Sequence, residues 1–503
     1  MFSRVKTVSF SGIKAELINI EVHLSAGIPS FIIVGLANKA VSEAKERVKS
    51  ALMMMGISLP AKKITINLSP ANIYKEGNHY DLGIAIGVLV AIGMINQSVI
   101  ENLIFMGELS LNGEMNQVNG ILPAGMFGVA NGFGLCFPLP NLEEAMFIKD
   151  GLPLITAQNL KELVENLNLG KFISKDSIGS EAGVNNEFFS KDFADVKGQE
   201  QAKRGIEIAA VGGHDVLMVG RPGSGKSMLA ERIPSILPPL SLEEILEISI
   251  INSISGNLNR VFEIKRPFRS PHHSSSMVSL IGGGKTIKPG EISLSHNGIL
   301  FLDEFAEFPP FVLDAMRQPM ETRNVNIARA EGHVSFPCNF QLIAAMNPCK
   351  CGYLGDAKKE CSKVPLCGEN YSNKISGPIL ERIDIHLIVN PSFEPGLLNF
   401  DAKKSESSAQ IKERVIKARE FAKNERKQTD FLNAHIPTSL LDETCKLSLE
   451  NVEILNKASQ KFHLSLRQCH KIIKVARSIA DTECKMDIDK THILEAIQFR
   501  RLA

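Results

Sequence analysis

The stretch "GRPGSGKS", residues 220–227, constrains chemistry more than any other in the chain. A turn made of Gly220, Arg221, Pro222, Gly223, Ser224 and Gly225 can aim backbone N–H groups at a phosphate. A helix starting directly after it adds the positive end of its dipole. Lys226 would then reach the β- and γ-phosphates of a nucleotide, and Ser227 a Mg²⁺ ion. Such a cradle needs carboxylates beside it. "GILFLDE" supplies Asp303 for the water shell of the metal and Glu304 to orient and deprotonate an attacking water. "FQLIAAMN" ends a further apolar run on Asn347, a polar tip suited to sensing the γ-phosphate. Two arginines complete the set. Arg382, in "SGPILERIDIHL", is the kind of residue a neighbouring subunit inserts toward a γ-phosphate to stabilise transition-state charge. Arg467 follows Ser465, an N-cap candidate, and from the first turn of that helix it is expected to reach the phosphates of its own subunit. A plainer reading stands beside each: Arg382 paired on a surface with Glu381 or Asp384, and Arg467 an ordinary surface charge.

These residues need elements to hold them together. "HDVLMV" before the glycine-rich turn reads as a strand, and the run after it as a helix ending at Pro234. From 192 to about 395, short apolar strands alternate with helices, the pattern of a parallel α/β sheet. Residues 1–170 mix strand-like runs such as "SFIIVGL" and "KITINLS" with helical segments such as 39–55. A polar stretch at 175–192 reads as a linker, and a second at 401–410 precedes a segment with helical periodicity to the end of the sequence. The expected division is an N-terminal α/β domain at 1–174, a linker at 175–191, a nucleotide-binding core at 192–400 and a C-terminal helical lid at 401–503.

At 503 residues the chain is too long for one ordinary core. Hydrophobic content of 44% with 22% charged residues is that of a globular protein rather than a disordered one. A net charge of +1 leaves nucleic-acid binding to local basic surfaces, and the absence of Trp weakens any reading built on base stacking. Arg269, Lys285, Lys288, Arg323 and Arg329 fall in predicted hairpins and are the candidates for phosphate contacts, with solvated charge the competing reading. The basic run 411–427 is spaced like an amphipathic helix with a solvated face. No charged segment followed by an apolar one opens the chain, so a reducing, cytoplasmic setting is expected. "LGIAIGVLVAIGMI" is too short to span a bilayer and reads as a buried helix, so no membrane partner is expected. In that setting Cys349, Cys351, Cys361 and Cys367 suit a tetrahedral Zn²⁺ site. Their spacing is not that of paired C-x₂-C knuckles, so free loop thiols remain the alternative. His272 and His273 are adjacent, which points them apart on a strand and favours a loop role over a shared metal.

The glycine-rich turn, "LFLDE", "RPFRSPHHSSSMVSLIGGG", "PGEISLSHNG", "ISGPILERIDIHL" and "VARSIAD" together resemble the magnesium-chelatase-like AAA+ ATPases of the ComM/YifB family, in order and over nearly the whole chain. The resemblance implies a P-loop AAA+ core with a parallel sheet and helical lid, ATP and Mg²⁺ as ligands, and a hexameric ring. ATP would bind between subunits, with Arg382 of one completing the site of the next. An inserted hairpin within 266–297 would face the pore. The implied activity is a motor on single-stranded or branched DNA, helicase-like branch migration that integrates imported strands during natural transformation. The rival readings are a chelatase-type motor subunit driving metal insertion and a remodelling ATPase that does not act on DNA. Two further blocks, "INLSPANIYKEGNHYDLGIAIGVL" and "GELSLNGEMNQVNGILPAGM", resemble the proteolytic domain of Lon, a ribosomal S5 domain 2-like fold. The serine and lysine of that protease dyad are missing: Asn78-His79-Tyr80-Asp81 holds no serine, and Leu122 stands at the lysine position. The fold is expected without the peptidase chemistry.

Overall fold

The computed structural model describes residues 1–36, 38–148, 152–172, 191–257, 265–284, 287–329, 332–354, 364–390, 405–429 and 431–500. The expected linker at 175–191 lies almost wholly outside these, as does Cys361.

The N-terminal part is built on strands β1 (Phe2–Ser11), β2 (Lys14–Ser25), β3 (Ser30–Val34) and β4 (Lys63–Ser69), with helix α1 (Lys39–Met54) between the last two. Helix α2 (Tyr80–Ala91), β5 (Leu103–Phe105), α3 (Ile121–Asn131), β6 (Gly134–Pro138) and β7 (Leu154–Ala157) follow. The seven strands form one mixed sheet in the order β3-β4-β2-β1-β5-β6-β7. Alternation along β2 buries Ile18, Ile20, Val22 and Leu24 on one face, as a half-covered strand requires. Helix α2 is buried along its whole length. It is apolar all round because it fills the space between sheet and α1, and it is the segment read above as a core helix.

The second part is a parallel sheet of five strands: β8 (Val216–Val219), β9 (Phe268–Arg269), β10 (Ile299–Leu302), β13 (Gln341–Met346) and β14 (Ile385–Ile388), in the order β9-β10-β13-β8-β14. Helix α4 (Glu200–Gly212) precedes β8, and α5 (Leu242–Ser255) lies between β8 and β9. Helix α6 (Arg317–Thr322) leads into an antiparallel hairpin of β11 (Asn324–Arg329) and β12 (Gly332–Pro337). Apart from Gln341 at the start of β13, strands β8, β10 and β13 are runs of buried or nearly buried apolar residues, as a sheet covered on both faces demands. Within the described residues of 266–297, besides β9, the structure has a two-residue strand pair, Gly282–Gly283 with Lys288–Pro289, between short helices.

The C-terminal part comprises α7 (Ser408–Asn424), α8 (Leu449–Phe462), α9 (Leu466–Thr482) and α10 (Lys490–Gln498). It is less separate than the word lid suggests. Ile411, Val415, Ile472, Ile479 and Ile493 share one continuous apolar cluster with Ile206 of α4 and Val216, Ile343 and Ile385 of the sheet. The basic run on α7 is also partly structural. Arg419 donates to the carbonyls of Ala210 and Val211 at the last turn of α4, where the negative helix end favours a cation. Arg414 pairs with Glu207 and Glu406.

Contacts at two places among the described residues help to join the N-terminal part to the part that carries the parallel sheet. Ser253 of α5 hydrogen-bonds the buried Glu144 and accepts from Gly120 N–H at the start of α3. The β1–β2 turn packs on the β11–β12 hairpin at Gly12, whose φ of +65° and closeness to the Ser335 carbonyl exclude a side chain.

Candidate active site

The phosphate turn leaves β8 at Gly220. That residue must be glycine because a Cβ would strike the Val389 carbonyl oxygen just beyond β14. Gly223 and Gly225 take φ of +75° and +90°, which turns the backbone into the helix that starts at Lys226. Gln199, just before α4, donates to the Ser224 carbonyl at 2.6 Å and clasps the turn from outside.

Around this turn lies a cleft of about 370 Å³ lined by Pro222, Gly223, Lys226, Ser227, Asp303 and Asn347 among others. The parallel register brings these side chains together. Strand β8 pairs with β13 from Val216 opposite Ile343 to Val219 opposite Met346, so Asn347 emerges level with Gly220. Strand β10 pairs with β13 on its other side, so Asp303 and Glu304 emerge at the same end. Lys226 Nζ donates to the carbonyls of Gly220 (2.7 Å) and Arg221 (3.0 Å) and to Asn347 Oδ1 (3.2 Å). Burial draws the Lys226 ammonium below its usual range, with Asp303 opposing the shift. Ser227 Oγ donates to Asp303 Oδ2 at 2.8 Å.

A hydroxyl beside a carboxylate, both hard oxygen donors at the mouth of a phosphate cradle, fits Mg²⁺. Ser227 and Asp303 would hold the ion, which when bound neutralises phosphate charge. Glu304 adopts φ of +51°, which turns its side chain toward His273; the two meet at 2.9 Å, Oε2 to Nδ1. His273 stacks on His272 and meets the edge of Phe308. It is therefore a partner of Glu304 and not only a loop residue. The motif containing it was visible in the sequence, but the strand that brings it beside β10 is two residues long and leaves no periodicity to read.

Arg382 and Arg467 are not in this cleft. Arg382 precedes β14, which runs parallel to β8 with Ile385 opposite Val216. It therefore lies at the amino ends of the strands, whereas the phosphate turn lies at their carboxyl ends, a strand length of about 13 Å away. Arg382 donates to the Pro378 carbonyl at 2.7 Å and pairs with Glu321 at 2.9 Å. Ser465 does cap α9, accepting from Gln468 N–H, and Arg467 is in the first turn. Arg467, expected to reach the phosphates of its own subunit, here binds Glu321 beside Arg382. Glu321 itself carried no sequence signal, being one acid among many on a short helix.

The thiols and basic residues divide in the same way. Cys349 and Cys351 approach to 3.2 Å between sulfurs, and Gly352 beside them packs on Pro222 of the phosphate turn. Cys367 lies on the short helix Leu366–Ser372, and Cys361 is outside the described residues. Among the described residues no three His, Cys, Asp or Glu side chains are grouped to hold a metal, so the Zn²⁺ expectation finds no support there. Arg269 is taken up by a two-bond pair with Glu291 at 2.6 and 2.7 Å. Arg323 is taken up by the Phe340 carbonyl and His435. Neither is presented as a phosphate contact. Lys288 is exposed, while Lys285 and the side chain of Arg329 lie outside the described residues.

In the block that resembles a protease domain, His79 Nε2 bonds the Val8 carbonyl at 2.9 Å, and Asp81 holds Arg47 at 2.5 and 3.0 Å. Both side chains are committed to packing the N-terminal sheet.

A parallel sheet carrying this cradle, the paired acids and a polar tip on the neighbouring strand defines a nucleotide-binding AAA+ core. Residues 192–395 match the family described as magnesium chelatase, subunit ChlI. Residues 405–500 match its C-terminal family, and residues 20–138 the family described as subunit ChlI of Mg-chelatase. The chain is 40% identical to competence protein ComM of Haemophilus influenzae over 498 residues, covering 98% of this chain and 96% of that one. It is 39% identical to YifB of Escherichia coli, covering 99% and 97%. A DNA replication licensing factor, mcm6 of Dictyostelium discoideum, is similar at 23% identity over 59% of this chain and 33% of its own. The chain belongs to the magnesium-chelatase-like AAA+ proteins of the ComM/YifB family. No described helix is long and apolar enough to cross a membrane.

Proposed function

We propose that this protein is an ATP-hydrolysing ring motor, a hexamer, that moves on single-stranded or branched DNA in the cytoplasm and drives branch migration of imported strands. The carrying observation is the split of the site. Lys226, Ser227, Asp303, Glu304 and Asn347 share one cleft, while Arg382 and Arg467 pair with Glu321 toward the other end of the same sheet, an arrangement that supports their use by a second copy. In this reading Lys226 binds the β- and γ-phosphates, and Asn347, hydrogen-bonded to Lys226, registers their presence. Glu304 leaves His273 and takes the proton of the water that attacks the γ-phosphorus. Arg382 and Arg467 of the neighbour meet the charge that develops on the departing phosphoryl group. The DNA assignment is supported by likeness to a competence protein and to a replication licensing factor.

The test is the steady-state ATPase rate of the full chain against single-stranded, duplex and branched DNA, with strand displacement measured in parallel. Stimulation by single-stranded or branched DNA and its loss in Lys226→Ala are expected. An ATPase indifferent to every DNA and without displacement would remove the DNA motor. The second reading, a chelatase-type motor, has the family descriptions in its favour and predicts that DNA-independent result.

A further inference from the structure

One carboxylate, Glu321, receives both arginines that lie away from the cleft. Arg382 Nη2 and Arg467 Nη2 meet the same Oε1 oxygen. The three residues come from three elements: Glu321 from α6, Arg382 from the loop before β14, and Arg467 from α9 of the C-terminal part. Nothing in their sequence positions joins them. The junction is reinforced one helical turn along α9, where Lys471 donates to the Arg382 carbonyl and to Asp384. Asp384 in turn accepts from the buried His214. Burial would raise the Asp384 carboxyl, but Lys471 and His214 hold it well below the usual range, so it is an anion that anchors Lys471.

The arginines are held but not saturated. Arg382 Nε is buried with no hydrogen-bond partner, and a single oxygen serves two guanidiniums whose forks could each take two. Glu321 is about half exposed, at 45%, and so open to an incoming competitor. A nucleotide's terminal phosphate carries more charge and more acceptor oxygens than one carboxylate. It would displace Glu321 from both arginines together.

We infer that Glu321 is a positioning residue that presents Arg382 and Arg467 as one paired unit and is exchanged for the terminal phosphate of a nucleotide bound to a neighbouring copy. This rests on the ATPase reading above. It adds a mechanical consequence. Glu321 is two residues from Arg323, whose φ of +56° begins the β11–β12 hairpin. Releasing the carboxylate removes one tie on α6, the helix that leads into the hairpin, while Arg323 stays anchored on Phe340 and His435.

The experiment measures kcat and KM for ATP in wild type, Glu321→Gln, Glu321→Ala and Glu321→Asp, with circular dichroism as the check on folding. Pairs made on a half-exposed carboxylate are each worth little, so the two together give a fall in KM of about three- to tenfold in Glu321→Gln, with kcat retained. Glu321→Ala should behave alike, and Glu321→Asp should restore a KM near that of wild type. A merely structural carboxylate would lower kcat and leave or raise KM in the folded variants. That result, or no change at all, overturns the exchange. Wild type without any ATPase would instead overturn the reading on which the proposal rests.

Discussion

His79 carries two opposite meanings at the residue scale. In the sequence it stands two residues from an acid in a block that resembles a protease domain; in the structure it is buried against Val8, Phe10 and Tyr80. Burial pushes its imidazole down from 6.5 to about 4, with the Val8 bond opposing. Between those values the unfolded chain binds a proton that the folded chain does not. Stability is therefore fully present above about 6.5 and is lost as pH falls toward 4, by up to about 3 kcal/mol. His79→Gln keeps a donor for Val8 but cannot titrate. The midpoint of thermal unfolding should fall between pH 7.5 and pH 5 in wild type, and by clearly less in the variant. An equal fall would place the acid sensitivity in other groups, such as the buried His386 and His435. Lys226, Ser227, Asp303, Glu304 and Asn347 were legible because each ends or follows an apolar strand, and parallel strands collect their carboxyl ends on one side. His273 and Glu321 were not legible, because their partners are remote in sequence and supplied by short elements.

At the scale of elements, the junction of α3 and α5 turns two separate parts into a joined pair. Glu144 is buried. It accepts from Leu122 N–H at 2.9 Å, from Asn141 at 3.1 Å and from Ser253 at 2.5 Å. Burial raises its carboxyl despite those three donors. Ser253→Ala removes one donor to Glu144 and the acceptor for Gly120 N–H, leaving buried polar atoms unmatched at a cost of about 1–3 kcal/mol. Thermal unfolding should register this as a lower midpoint, while Ser255→Ala two residues on, whose hydroxyl bonds Asn252 and Asn257 within its own segment, should lie within about 0.5 kcal/mol of wild type. Equal effects would mean the contact does not join the two parts. The strands and the helix α2 were readable from their periodicity and apolar runs. The side of α5 that meets α3 was not, since α5 is apolar on more than one face and its sequence names no partner.

For the whole molecule, the separation of Arg382 from Lys226 predicts complementation between copies. Lys226→Ala and Arg382→Ala proteins should each be inactive as ATPases. Mixed in equal amounts, they would form some interfaces with an intact cradle on one side and an intact arginine on the other, about a quarter of them for random ring assembly. ATPase activity that appears on mixing is the expected outcome; a mixture as inactive as its components would return Arg382 to a role within its own chain.

Read alone, the sequence determined the phosphate cradle, its acids, the parallel sheet beneath them and the family, because strand–turn–helix chemistry is local and the order of motifs spans the chain. It also placed Arg467 in the first turn of a capped helix. Only the tertiary structure decided which site that turn faces. Arg467 and Arg382 meet on Glu321 because α9 packs across the amino ends of the sheet, and that packing depends on the shared apolar cluster rather than on any residue near the arginines. Neighbourhood across such a core is a property of three packed surfaces, and no spacing along the chain encodes it.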